Sequence, residues 1–131
     1  VLNANYMMHK LKTKYDVAFD RVCMHEFVVS LEKMKALNGV SAMDIAKAMA
    51  DRGIHPPTMY FPLIVHEALM VEPTETESKD TIDAVSNVML ELYDLALKDP
   101  QSMHSAPSHT VIGRPDEVKA ARTPVVRYKS A

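Results

Sequence analysis

The spacing of apolar and polar positions changes several times along this chain, and each change marks an element. Over Val1–Tyr15 the residues Leu2, Tyr6, Met7 and Leu11 form one stripe, which predicts a helix. Nothing at residue 1 resembles a cap, so the pattern reads as a longer helix already under way. Within Asp16–Leu31 the period drops to two: Cys23, His25, Phe27, Val29 and Leu31 alternate with Val22, Met24, Glu26, Val28 and Ser30. That alternation predicts a strand, with His25 on the apolar face and therefore partly buried. Glu32–Asn38 is charged and reads as a loop or a short helical turn.

Helical spacing then returns with clear boundaries. Ser41 is an N-cap with Asp44 three residues on, and Val40 with Ile45 has the spacing of a hydrophobic staple. Ile45 and Met49, with Ala46, Ala48 and Ala50, form a face for close packing. Gly53 supplies the stop, and Ile54 is placed to touch Met49. A second long helix starts at Ser78 and carries Ile82, Val85, Met89, Leu92 and Ala96 on one stripe, until Asp99-Pro100 ends it. Gln101–Pro115 reads as an irregular crossing, Asp116–Arg122 as a helical turn and Pro124–Tyr128 as an extended end.

Between the two strong helices lies the stretch on which the chain turns, Gly53–Ser78. Two short apolar runs, Met59–Phe61 and Ala68–Val71, predict a hairpin. Pro57, Pro62 and Pro73 each belong at a strand end, because proline fixes φ and lacks a donor. The order helix, strand, helix, hairpin, helix, tail predicts an α+β domain with a small, largely antiparallel sheet and helices on one face.

Composition changes this picture only by exclusion. A chain of 131 residues fits one domain, and its net charge of −2 with scattered Lys and Arg gives no basic stripe for nucleic acid. The nearly apolar window Met59–Val71 contains Pro62, His66 and Glu67 and is too short to span a bilayer. The single cysteine, Cys23, rules out an internal disulfide framework and suits a reducing, cytoplasmic setting. The ten methionines read as adaptable core filling.

Self-contained chemistry is scarce. Three glycines, Gly39, Gly53 and Gly113, cannot form a dinucleotide fingerprint or a P-loop. His25-Glu26 and His66-Glu67 open like a zinc-protease helix, but Val29 and Met70 stand where the second histidine belongs, so no metal site is expected. Cys23 and His25 lack the second ligand pair of a zinc site, and as a Cys-His nucleophile they are disfavoured because they share a strand face, where a buried thiol is inert. Glu72, Glu75 and Glu77 could supply a general base, but read first as acidic residues that stabilise a helix start. The polar groups best held by rigid backbone are His55 and Thr58, which bracket Pro56-Pro57, and Glu72, fixed by Pro73. These three are the candidate site residues. A bland role is open to each: capping for His55, a turn bond for Thr58, an ion pair for Glu72.

The runs NANYM (3–7), HEFV (25–28), DIAKAMADRGIHPPTMYFPLIVHEALMVEPTETESKDTID (44–83) and RPDEVKAARTPVVRY (114–128) closely resemble the C-terminal part of glycine dehydrogenase (decarboxylating), the P-protein of the glycine cleavage system, in its two-subunit bacterial form, subunit 2 type. The resemblance covers almost the whole chain. It implies a fold-type I enzyme that uses pyridoxal phosphate to decarboxylate glycine and passes the aminomethyl group to the lipoyl arm of the H protein. It implies further that residues 1–15 end a connecting helix and residues 16–131 form a small C-terminal domain. On this reading the Schiff-base lysine lies outside the chain, no catalytic residue is expected within it, and the piece is inactive by itself. Its partners would be the remainder of its own subunit, subunit 1 and the H protein.

One segment departs from the family pattern. Where the family reads Pro-His-Asn-Thr-Pro-Val-Gly, this chain reads Pro107-Ser108-His109-Thr110-Val111-Ile112-Gly113, and Pro115 replaces a leucine. The family's histidine is therefore carried over to neither Ser108 nor His109. The alternative reading, from another functional class, is a free-standing α+β module that binds a small ligand or regulates, without catalysis.

Overall fold

In the computed structural model, residues 1–128 are described, and four short strands and six helices alternate along them. The chain order is α1 (Leu2–Leu11), β1 (Asp16–Val17), β2 (Phe27–Ser30), α2 (Glu32–Asn38), α3 (Ala42–Ala50), β3 (Thr58–Met59), β4 (Ala68–Val71), α4 (Lys79–Lys98), α5 (Pro100–Ser105) and α6 (Glu117–Arg122). The architecture is the expected α+β. Its sheet has the order β1-β2-β4-β3, and every pairing is antiparallel.

Register decides which residues reach the helices. Phe27 lies opposite Val71, and Val29 opposite both Leu69 and Val17, while Met59 faces Leu69. Those six side chains alternate along their strands onto one face and join α1, α3 and α4 in the core. From α1 the core takes Ala4, Met7, Met8 and Leu11, and from α4 it takes Ile82, Met89, Leu92 and Ala96. On the opposite face Val28 pairs with Met70 and Met70 with Thr58, and Val28 and Met70 line an open cleft together with Phe19, Met24 and Phe61.

The caps explain where the helices begin and end. Ser41 and Asp44 form a reciprocal capping box on α3. Gly53, at φ +70°, lets the Ile54 amide donate to the Met49 carbonyl at 3.1 Å and its own amide to Ala50 at 3.0 Å. This pair of bonds is a Schellman stop. Ser78 caps α4 by accepting from the Thr81 amide. Tyr15, buried below α1, donates its hydroxyl to the Met89 carbonyl at 2.8 Å and meets Tyr93 edge-on at 5.0 Å. Burial, with Tyr93 and Asp94 adding to it, pushes the Tyr15 phenol well above its ordinary range.

Four expectations need correction. The helix expected over residues 1–15 closes at Leu11, and its inward face is Ala4, Met7, Met8 and Leu11, whereas Leu2 is 81% exposed. The strand expected to run from Val22 to Leu31 is confined to Phe27–Ser30, because β4 offers only four residues to pair with. Cys23–Glu26 is thus left outside the sheet, and His25 is exposed beside Glu26 rather than partly buried. Asp99-Pro100 ends α4 but also starts α5: Asp99 caps it by accepting from the Ser102 amide, and Pro100 takes the first helical position. The irregular crossing therefore begins only after Ser105. Asp116–Arg122 is helical as expected, with Asp116 as its cap, and Pro124–Tyr128 forms no strand. Of the domain expected over 16–131, residues 129–131 lie outside the described residues.

Candidate functional site

Two rigid corners meet at one end of the hairpin. The Schellman stop aims the chain out of α3 into His55-Pro56-Pro57, and Thr58 opens β3 directly afterwards. β4 returns antiparallel with Met70 opposite Thr58, so Glu72 follows at its end and Pro73 closes the strand. Glu72 and His55 thus both come to this end of the hairpin, just beyond the last paired residues, Thr58 and Met70. His55, Thr58 and Glu72 are all exposed, and all three line one cleft of about 620 Å3. The hydrogen bonds and ion pairs among the described residues engage none of the three side chains.

The floor of that cleft is apolar: Met7 from α1, Met49 from α3, Val71 from β4, and Ile82 and Met89 from α4. Its rim carries Glu77, just before the Ser78 cap, and Thr81 from the first turn of α4. Such a concavity, apolar below with a few polar groups above, has the build of a small-molecule site. An imidazole and two carboxylates can exchange protons or orient a polar ligand there, and the apolar floor excludes water from one side of it. A smaller cleft of about 380 Å3 lies beyond Glu72, lined by Asn3, His25, Pro73, Thr74 and Glu75. Glu72 and Pro73 line both clefts and form the wall between them. Asn3 fixes this wall, since its amide donates to the Thr74 carbonyl at 2.9 Å and to that of Glu77 at 3.3 Å.

Sequence reasoning missed the polar residues that hold the corners in place. Glu67, with its side chain 9% exposed, accepts from the Ala42 amide at 2.8 Å and pairs with Lys35, tying the start of β4 to α2 and α3. Asp83 accepts from Tyr6 and from Lys79, at 2.7 and 2.6 Å, and from Lys10, fastening α1 to α4. Those donors, Lys10 first, hold the Asp83 carboxyl far below the usual carboxylate range. Asp44 accepts from Arg114 at 2.7 Å, and Asp51 accepts from the Ser108 and His109 amides, each at 2.7 Å. No spacing rule links partners so distant in sequence; only the single acidic position in an apolar helix, Asp44, hinted at one.

Among the described residues, no three His, Cys, Asp or Glu side chains are grouped to hold a metal ion. Glu67, in the His66-Glu67 pair, is engaged instead by Lys35 and Ala42. Among the described residues, no helix is long and apolar enough to cross a membrane.

Comparison with known proteins agrees with the sequence resemblance. The family model described as glycine dehydrogenase, C-terminal domain, matches residues 1–109. A probable glycine dehydrogenase (decarboxylating) subunit 2 of Treponema denticola is 64% identical over 130 residues, 99% of this chain and 27% of the relative. Proteins with the same description from Lysinibacillus sphaericus and Fervidobacterium nodosum are 55% and 53% identical over 100% and 98% of the chain, again 27% of each relative. The chain spans about a quarter of the length of the curated relatives it matches. With more than four-fifths of its length matched by that model, the chain belongs to the glycine dehydrogenase C-terminal domain family.

Proposed function

We propose that this chain serves as the C-terminal part of subunit 2 of a glycine dehydrogenase (decarboxylating), and that its cleft forms one wall of the channel leading to that enzyme's reaction centre. Residues 1–15 then end a connecting helix, and residues 16–131 form the small domain of a fold-type I enzyme. The partners of the intact protein are the rest of the same subunit, subunit 1 and the lipoyl H protein, in the cytoplasm. Support comes from the description shared by the relatives and from the quarter of their length that the chain matches.

The intact enzyme uses pyridoxal phosphate, which supplies the electron sink for decarboxylation when bound. The cleft's own residues do not fit a covalently held cofactor. No lysine is among them, and the two carboxylates Glu72 and Glu77 would repel a phosphate. No step through the cofactor is assigned to this chain. Its residues shape and dry the channel wall, and His55, Thr58 and Glu72 orient what passes.

One observation carries the proposal: His55, Thr58 and Glu72, held by separate rigid corners, face one cleft with an apolar floor. The test uses the full-length subunit with its partners. His55→Ala, Thr58→Ala and Glu72→Gln are each compared for glycine-dependent carbon dioxide exchange and for unfolding. A turnover loss of about tenfold or more in one variant, with unchanged unfolding, supports a wall role for that residue. Normal turnover in all three, or loss of turnover only in step with stability, reduces the corner to architecture. Borohydride trapping of the 131-residue chain with the cofactor gives a second check: stoichiometric labelling of one specific lysine would overturn the assignment of the Schiff base to another part of the subunit.

A further inference from the structure

From Thr110 to Tyr128 every residue of the chain is exposed. This arm is not featureless. It contains α6, capped by Asp116, and it displays Val111, Ile112, Val118, Val125, Val126 and Tyr128 at 61–105% exposure. Scattered apolar residues are ordinary on a surface, but six in nineteen positions with no buried neighbour are not. A six-residue helix is far below the length that sustains itself in water, and ordering backbone without burial costs entropy that nothing here repays.

The arm leaves the domain in a fixed direction. Asp51 holds the Ser108 and His109 amides, and Arg114 donates to the Ala106 and Met103 carbonyls and to Asp44. Asp44 and Asp51 stand seven residues apart on α3 and its cap, so two carboxylates at opposite ends of one helix aim the segment that follows. The family's domain model ends at residue 109, at this point of departure.

Resting on the reading that the chain is part of a longer subunit, we propose that residues 115–128 are a docking arm seated in an apolar, acid-rimmed groove on the upstream part of the same subunit. Two observations choose this occupant. About three-quarters of each relative's length lies outside the matched stretch, so the tethered partner is present at high effective concentration. Over residues 115–128 the arm carries Lys119, Arg122 and Arg127 against Asp116 and Glu117. Both acids sit at the start of α6, so the stretch from Val118 to Tyr128 presents only positive charge, which complements an acidic rim. Val118 and Ala121 share one face of α6, and Val125, Val126 and Tyr128 extend the apolar contact beyond it.

Amide hydrogen exchange on the full-length subunit tests this without reading activity. In the subunit alone, the α6 amides of Ala120 and Thr123, which donate to Asp116 and Lys119, are expected to exchange at least about tenfold more slowly than in a Val125→Asp/Val126→Asp variant. The α3 and α4 amides report whether that variant folds. If it does not, Arg127→Glu supplies the comparison, with the same tenfold loss of protection expected. Fast exchange in the unaltered subunit overturns the proposal. So does protection that appears only on adding the other subunit, or only as protein concentration rises, since these assign the arm to another chain or to a second copy. Channel variants that leave turnover intact would refute the wall reading alone and leave this result standing.

Discussion

Arg114 reaches back seventy positions to Asp44, placing Nη2 at 2.7 Å from Oδ1 of a carboxylate that already caps its own helix. One acidic side chain therefore both starts α3 and fastens the crossing that follows α5. Replacing it removes the bonds that its carboxylate accepts from the Ser41 amide and hydroxyl, worth about 1 kcal/mol, and the charge-assisted bond from Arg114, worth about 1.5–3 kcal/mol. Ser41 still caps α3 through the amide of residue 44. Asp44→Ala is expected to destabilise the fold by about 2–4 kcal/mol, measured by denaturant unfolding, whereas Arg114→Ala should cost less because Asp44 keeps its bonds from Ser41.

Acid should loosen the same contacts. Burial acts to raise the Asp44 carboxyl, but donors from Ser41 and Arg114 outweigh it and hold it below its usual value. For Asp51 too, burial acts upward and the His109 and Ser108 amides prevail. A carboxylate lowered in the folded state contributes stability above its unfolded pKa, about 3.9, and that contribution is lost as pH falls through the lower folded value. Stability is therefore expected to be level from neutrality down to about pH 4 and to fall below it. Asp51→Asn should flatten part of that fall, in acid titrations followed by circular dichroism.

Gly53 is required for its backbone and not for space. Its φ is +70°, yet a Cβ added there meets nothing within 4 Å. Gly53→Ala is expected to cost about 1 kcal/mol from left-handed strain, and Gly53→Asn less, since asparagine tolerates that region. Because the residue also lines the cleft, crystal structures of the two variants should show whether His55 shifts with it.

Core and rim leucines should differ sharply. Leu69 is fully buried at the centre of the sheet, and Leu63 is 82% exposed in the hairpin loop. Leu69→Ala is expected to lose about 2–5 kcal/mol, and Leu63→Ala to stay within about 0.5 kcal/mol, by thermal or denaturant unfolding.

What could be read in advance was whatever depends on neighbours within a turn or two. Ser41 with Asp44, the Gly53 stop, the Ser78 cap and the stripe through Ile82, Met89 and Leu92 are local, and the structure has all of them. His55, Thr58 and Glu72 stand out in the sequence because prolines adjoin or bracket them, and the hairpin brings them to one cleft. The alternation from Val22 to Leu31 misled because a strand needs a partner of equal length, which β4 does not provide. Leu2 fits the stripe by spacing but faces outward, since α1 turns Ala4, Met7 and Met8 inward. Pro100 marked a stop correctly and concealed a restart, because Asp99 serves as the last residue of one helix and the cap of the next.

The order of the sheet has a consequence for how copies of this protein behave toward one another. Its two four-residue strands are interior, and each outer position is held by a strand of only two residues. An incoming extended peptide finds almost no ladder of free backbone groups to extend, and Pro57 and Pro62 flank one of those margins. Strand-by-strand growth into fibrils is therefore blocked at both sides of the sheet, even while apolar side chains elsewhere stand open to other partners.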